Sequence, residues 1–152
     1  MFSPLSFPKA DLNISKKEGA YFVWCIIRKK KLVLTPEEWV RQHVIHFLIN
    51  EKKVPVGLIA SEFLISVNGL SRRCDIVVFD INKTPLLIVE CKSVEVDINE
   101  KVLHQIAQYN FKLNTSNLFL TNGRTSVSCK INKVENNISY FMELPNLSLI
   151  HI

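Results

Sequence analysis

The spacing of apolar residues changes along the chain from the period of strands to that of helices and back. Ala20-Tyr21-Phe22-Val23-Trp24-Cys25-Ile26-Ile27 is rich in aromatic and β-branched residues and follows the turn-like Lys16-Lys17-Glu18-Gly19, which predicts a strand. The dozen residues at the start, with Pro4 and Pro8, predict an irregular lead-in. Thr35-Pro36-Glu37-Glu38 predicts a helix start. Thr35 can be the N-cap, Pro36 suits the first helical position, and Glu38 stands three residues on as a capping-box partner. That helix should run to about Asn50, with Val40, Val44, Phe47 and Leu48 on one face and Glu37 and Arg41 near the same stripe.

From residue 62 to 92 the pattern is that of strands: 63–67, an Asn68-Gly69 turn, 72–79, a polar turn ending at Pro85, and 86–92. Leu86-Leu87-Ile88-Val89 is apolar at consecutive positions, as in a central strand covered on both faces. Asp97-Ile98-Asn99-Glu100 offers a second capping box. Val102, Ile106, Tyr109 and Leu113 then share one helical face. Further strands are expected at 118–121, 125–131 and 138–142, with Asn122-Gly123 as a turn between the first two. The expected fold is therefore α/β: a mixed central sheet flanked by helices, with an N-terminal strand or hairpin extension over 1–34 and a core over 35–142, in one domain.

Composition fits that picture. A chain of 152 residues with 47% hydrophobic and 22% charged residues can build a sizeable core. No apolar run approaches the roughly 20 residues needed to cross a bilayer, and no signal peptide is recognisable, so a cytoplasmic protein without membrane contact is expected. Cys25, Cys74, Cys91 and Cys129 are far apart with no C-x-x-C pair, which predicts reduced, packing cysteines. A net charge of +5 favours an anionic partner such as nucleic acid. The basic run Arg28-Lys29-Lys30-Lys31 reads as a solvated turn ahead of a phosphate contact.

The chemistry is concentrated at two strand ends. Residues two apart on a strand share a face, so Glu90 and Lys92 project together and Cys91 projects away. A hairpin-like connection of 14 residues brings Asp75 beside Glu90. Two carboxylates with a backbone oxygen, that of Cys91, make a partial shell for Mg²⁺, and a neighbouring lysine suits hydrolysis of a phosphodiester. The competing structural reading is an ion pair of Lys92 with Glu90 or Asp75 at a sheet end. His43, His46 and His104 form no metal motif and read as surface or packing residues.

Five blocks, in order, resemble the N-terminal nuclease domain of type I restriction enzyme R subunits, within the PD-(D/E)XK superfamily. They are Thr35-Pro36-Glu37-Glu38-Trp39-Val40-Arg41-Gln42, Arg73-Cys74-Asp75-Ile76-Val77-Val78, Pro85-Leu86-Leu87-Ile88-Val89-Glu90-Cys91-Lys92, Gln105-Ile106-Ala107-Gln108-Tyr109 and Thr121-Asn122-Gly123. The resemblance implies a restriction-endonuclease-like fold, Asp75 and Glu90 as ligands of Mg²⁺ or Mn²⁺, Lys92 as the catalytic lysine, and Gln105 with Tyr109 as the Q-x-x-x-Y element. Residues four apart share a helical face, so Gln105 and Tyr109 can both reach a cleft, although Tyr109 alone would read as core packing. An acid from the first helix often approaches the metal in such proteins. Glu37 is the first choice and Glu38 the alternate, while acids at a helix N-terminus also simply favour its dipole. Arg41 is a candidate for site or nucleic-acid contact. The chain contains no G-x-x-x-x-G-K-[ST] phosphate loop, so ATP-driven translocation is not expected of it. The expected partner is nucleic acid, DNA ahead of RNA, with a homodimer or a partner protein as a further possibility.

Overall fold

The computed structural model describes residues 2–112 and 115–147, except for the side chains at 109, 111 and 112. Strands β1 (Ile14–Lys17), β2 (Ala20–Cys25) and β3 (Lys30–Val33) form a three-stranded antiparallel sheet in that order. Helix α1 (Pro36–Asn50) follows, then a single 3-10 turn at Val56–Leu58. Strands β4 (Ile59–Val67), β5 (Leu70–Phe79) and β6 (Pro85–Cys91) lead to helix α2 (Glu100–Lys112) and to β7 (Asn117–Thr121), β8 (Ser126–Asn132) and β9 (Asn137–Phe141). These six strands make one mixed sheet in sequence order. Every pairing is antiparallel except β6 with β7, the pair joined through α2. A parallel pair requires such a crossover.

The fold is the expected mixed α/β sheet with two helices and an N-terminal strand extension. Sequence reading missed β1 and β3, and the reason is local. Ile14–Lys17 and Lys30–Val33 are short, lysine-bearing, mostly exposed segments that join β2 by backbone hydrogen bonds and carry no alternating pattern. Glu18 and Gly19, both at positive φ (52° and 82°), turn the β1–β2 hairpin. The basic run is divided: Arg28 and Lys29 lie in a turn, and Lys30 and Lys31 open β3.

Helix α1 begins where expected, with Thr35 Oγ1 accepting from the Glu38 N–H at 3.0 Å. The other half of the box does not form, because the Glu38 carboxylate turns to Arg41 and Gln42 instead. For α2 the cap is Asn99, whose Oδ1 accepts from the Val102 N–H at 2.9 Å, two residues beyond the expected Asp97. Either residue type can cap, and the chain closes on the later one.

The central sheet is covered on both faces. Ile76, Val78, Leu87, Val89, Cys91 and Phe119 pack with Val40, Val44, Ile45 and Leu48 of α1, and Leu5, Phe7 and Leu32 close that side. Cys74, Val77, Ile88, Leu118, Leu120 and Cys129 pack with Leu103 and Ala107 of α2. That two-sided cover explains the uninterrupted apolar run of β6. All four cysteines are free and buried. Among the described residues no helix is long and apolar enough to cross a membrane.

Candidate active site

Three elements meet where β5 and β6 part. Their pairing ends at Ile76↔Val89, and Asp75 and Glu90 are the next residue along each strand. Asp75 Oδ2 accepts from the Cys91 N–H at 2.7 Å, in the place a ladder carbonyl would occupy. Its Oδ1 lies 2.9 Å from Arg41 Nη2 on α1. The alternation that sends Val89 and Cys91 toward α1 sends Glu90 to the opposite face, that of α2, and Lys92 follows directly after the end of β6. Asp75 therefore sits in the fork itself, reached by α1 through Arg41 and by β6 through the Cys91 N–H. Asp75 thus meets α1 through Arg41, and Glu90 meets α2 through Arg72 and Asn110.

Arg41 organises the α1 side. Its guanidinium lies 2.6 Å from Glu38, 2.9 Å from Glu62 of β4, 3.1 Å from Glu37 and 2.9 Å from Asp75. Burial opposes its charge, but Glu38 and then Asp75 outweigh burial and hold it protonated. Of the two candidate helix acids, Glu37 is the half-exposed one and Glu38 is buried in its bonds to Arg41 and Gln42. Glu37 is thus the acid able to reach an incoming group. Glu62 adopts φ 56° in mid-strand, opposite Asp75, at the one step where the β4–β5 pairing is interrupted.

On the α2 side Glu90 is buried against the Arg72 guanidinium of β5, and Arg72 Nη1 donates to Asn110 Oδ1 of α2 at 2.6 Å. The Glu90 contact is a charge pair without hydrogen-bond alignment, since Oε1 has no hydrogen-bond partner among the described residues. Burial pushes the Glu90 carboxyl up to about 7; Arg72 opposes the rise, Asp75 adds to it and Lys92 opposes it. Glu37 is likewise raised, by burial and then by Asp75, with Arg41 and Lys92 opposing. Glu37, Asp75, Glu90 and Lys92 therefore feel one another's charge across the fork. Burial lifts the Cys91 thiol well above its ordinary range, which leaves its backbone oxygen as its useful group.

The oxygen donors of Asp75, Glu90, the Cys91 backbone and Glu37 suit a hard divalent cation in kind. Glu90 Oε1 lacks a hydrogen-bond partner among the described residues but faces the Arg72 guanidinium, so an ion would take it only in place of that cation. Among the described residues, however, no three His, Cys, Asp or Glu side chains are gathered closely enough to hold a metal by themselves. Backbone oxygen and water must complete any shell, as is usual for Mg²⁺.

Gln105 lies on α2 and is exposed. The side chain of Tyr109, its expected companion, lies outside the described residues. Among the described side chains of α2, Asn110 reaches the site through Arg72. His43 is buried with Nδ1 2.8 Å from the Trp39 carbonyl, and His104 is exposed. Sequence reading missed Glu62, Arg72 and Asn110. Arg72 stands three residues before Asp75 and so had a positional hint; Glu62 and Asn110 had none. It read Asn122-Gly123 as a turn. The structure shows more: Lys92 N–H donates to the Thr121 carbonyl at 2.9 Å, and Asn122 Nδ2 donates to the Val96 carbonyl at 2.8 Å, so this corner braces the segment that follows Lys92.

A mixed sheet whose strands split at an acid, beside an acid and a lysine two residues apart, is of the restriction-endonuclease-like α/β class. Residues 36–145 match the family described as type I restriction enzyme R protein N terminus, and the chain belongs to that family. It is thus a nuclease-related domain. No curated protein matches the chain.

Proposed function

We propose that this chain hydrolyses nucleic-acid phosphodiester bonds, DNA being the expected substrate, with Mg²⁺ or Mn²⁺ as cofactor. The observation that carries the reading is the fork: Asp75 and Glu90 stand one step past the last β5–β6 pair, and Lys92 follows the end of β6. Asp75, Glu90 and the Cys91 carbonyl would hold the ion, with Glu37 approaching from α1. A bound divalent ion supplies Lewis-acid stabilisation and a more acidic water. Lys92 orients the attacking water and offsets charge developing on the phosphoryl oxygens. Arg41 holds Glu37 and Asp75 at their places, and Gln105 with Tyr109 serves the phosphate from one face of α2. We place this activity in one domain spanning the chain, acting in the cytoplasm.

A second reading has its own observation. Arg41 and Arg72 already neutralise the acids that a metal would need. This favours a module that binds nucleic acid, cuts little alone and becomes active with a homodimer mate or a partner protein.

Incubation of the purified chain with plasmid, linear and single-stranded DNA and with RNA, under Mg²⁺ or Mn²⁺, separates the two. Cleavage abolished by Asp75→Ala and by Lys92→Ala supports the catalytic reading; cleavage that survives both removes the site. Binding that weakens with salt, without cleavage, supports the module.

A further inference from the structure

A pocket of about 270 Å³ is lined by Phe2, Ser3, Tyr21, Pro36, Trp39, Val94 and Glu95. Two of its walls are continuous in sequence with the site. Pro36 precedes Glu37, and Val94 and Glu95 follow Lys92 by two and three residues. The loop carrying Val94 and Glu95 is held in place, because the Val96 carbonyl accepts from Asn122 and the Val96 N–H donates to the Ser93 carbonyl at 3.0 Å.

The lining is aromatic and pre-set. Phe2 stacks on Trp39 at 5.1 Å between centroids and 23° between planes, and Tyr21 meets Phe2 edge-on at 6.0 Å. The Trp39 indole N–H donates to the Ser3 carbonyl at 2.8 Å, which fixes the ring. Tyr21 remains 37% exposed, so part of its side chain is accessible to a ligand. Lys16 Nζ stands 5.2 Å from the Tyr21 centroid and puts a cation at the rim. Glu95 is exposed and offers acceptor oxygens only.

We propose that this pocket receives one unpaired nucleobase of the strand whose phosphate lies at the fork, an assignment that rests on the nucleic-acid reading above. Aromatic walls suit the flat face of a base, and a cavity near the lower end of ligand-site volumes suits a single ring system. The rim lysine suits the adjoining phosphate. Glu95 selects bases that present an exocyclic amino donor, cytosine above all, over thymine or uracil. A base can enter only when it is out of its duplex, so the pocket makes the chain a reader of single strands or of melted ends.

The test is fluorescence anisotropy with short labelled oligonucleotides in Ca²⁺ buffer, using single-stranded DNA, single-stranded RNA and duplex DNA. Tyr21→Ala is expected to weaken single-strand binding at least about fivefold, the factor for one modest base-aromatic stack. It should leave duplex binding unchanged, and Tyr21→Phe should restore the wild-type value. Glu95→Gln should erase a preference for oligocytidine over oligothymidine. Equal losses on single strands and duplex, or no loss on either, overturn the proposal. So does a Tyr21-dependent dimer in sedimentation without an oligonucleotide effect, which assigns the pocket to a second copy. Absence of Mg²⁺-dependent cleavage with the Tyr21 pattern intact removes the catalytic reading and leaves the pocket standing.

Discussion

Arg41 Nη2 lies 2.9 Å from Asp75 Oδ1, so the first helix is tied to the fork strand by an ion pair that is nearly out of water. The same guanidinium serves Glu37, Glu38 and Glu62. Only the Glu37 partner is well exposed, with a side chain 46% accessible. Coulomb attraction is weakly screened there, and the acids would repel one another without the cation.

Replacing Arg41 by Ala is therefore expected to destabilise the fold by about 3–5 kcal/mol, the range for stripping one partner from a buried ion pair. Urea denaturation measures it. Millimolar Mg²⁺ should recover part of the loss in the variant, because a divalent ion can take over the repulsion among Glu37, Glu62 and Asp75. A loss under about 1 kcal/mol would show the pairs to be as weak as surface ones.

Asp75→Asn separates chemistry from structure. The Asn oxygen can still accept from the Cys91 N–H now bonded at 2.7 Å, and Arg41 loses one of four acidic partners, so stability should fall by about 1–3 kcal/mol, less than for removal of Arg41. Cleavage, measured as the rate on plasmid, should fall by a factor of about 100 or more, as expected when a charged group that fixes a catalytic ion is neutralised. Folded protein with an unchanged rate would remove Asp75 from the site.

The fork was legible in the sequence because its parts lie on strands whose apolar runs are long. The run 86–89 marked β6, and the Asn68-Gly69 turn set β4 against β5. What could not be read is whatever depends on a contact between distant elements. Arg41 has candidate partners on its own helix, but its bonds to Glu62 and Asp75 appear only once α1 packs on the sheet. The Arg72 to Asn110 link joins β5 to α2 across a separation of 38 residues. Strand β1 is polar and hydrogen-bonded only to β2, so no hydrophobic alternation announces it. Thr35 shows the converse case: its cap is a contact within four residues, and the sequence sufficed.

Glu90 gives a pH dependence with a definite sign. Its carboxyl is raised from 4.5 to about 7 in the folded chain, so between those values the folded state binds more proton than the unfolded state. Stability is therefore greatest near pH 4.5 on this account and declines as pH rises toward 7, by at most about 3 kcal/mol. Glu90→Gln should flatten that slope in denaturation curves taken across the interval. Proton and cation compete for the same oxygens, so Mg²⁺ affinity by calorimetry should increase over the same range. A slope that persists in Glu90→Gln assigns the titration to another group.

The corner at Asn122 provides the sharpest separation of positioning from folding. Its Oδ1 accepts from the Arg124 and Thr125 N–H groups at 3.0 and 2.8 Å, and its Nδ2 donates to the Val96 carbonyl. Asn122→Ala leaves these backbone groups without that partner, for a loss of about 1–3 kcal/mol. It also frees residues 93–96, which follow Lys92 directly, so the cleavage rate should fall further than stability does, by roughly tenfold or more. Gly123→Ala is the control. Its φ of +91° disfavours a side chain, and an added Cβ would lie 2.6 Å from Leu5 Cδ2 and 3.1 Å from Val40 Cγ2. That strain falls on the lead-in segment and α1 and leaves the Asn122 bond to Val96 intact. At matched denaturant midpoints, Gly123→Ala should cleave faster than Asn122→Ala; equal rates would mean that the corner acts through stability alone.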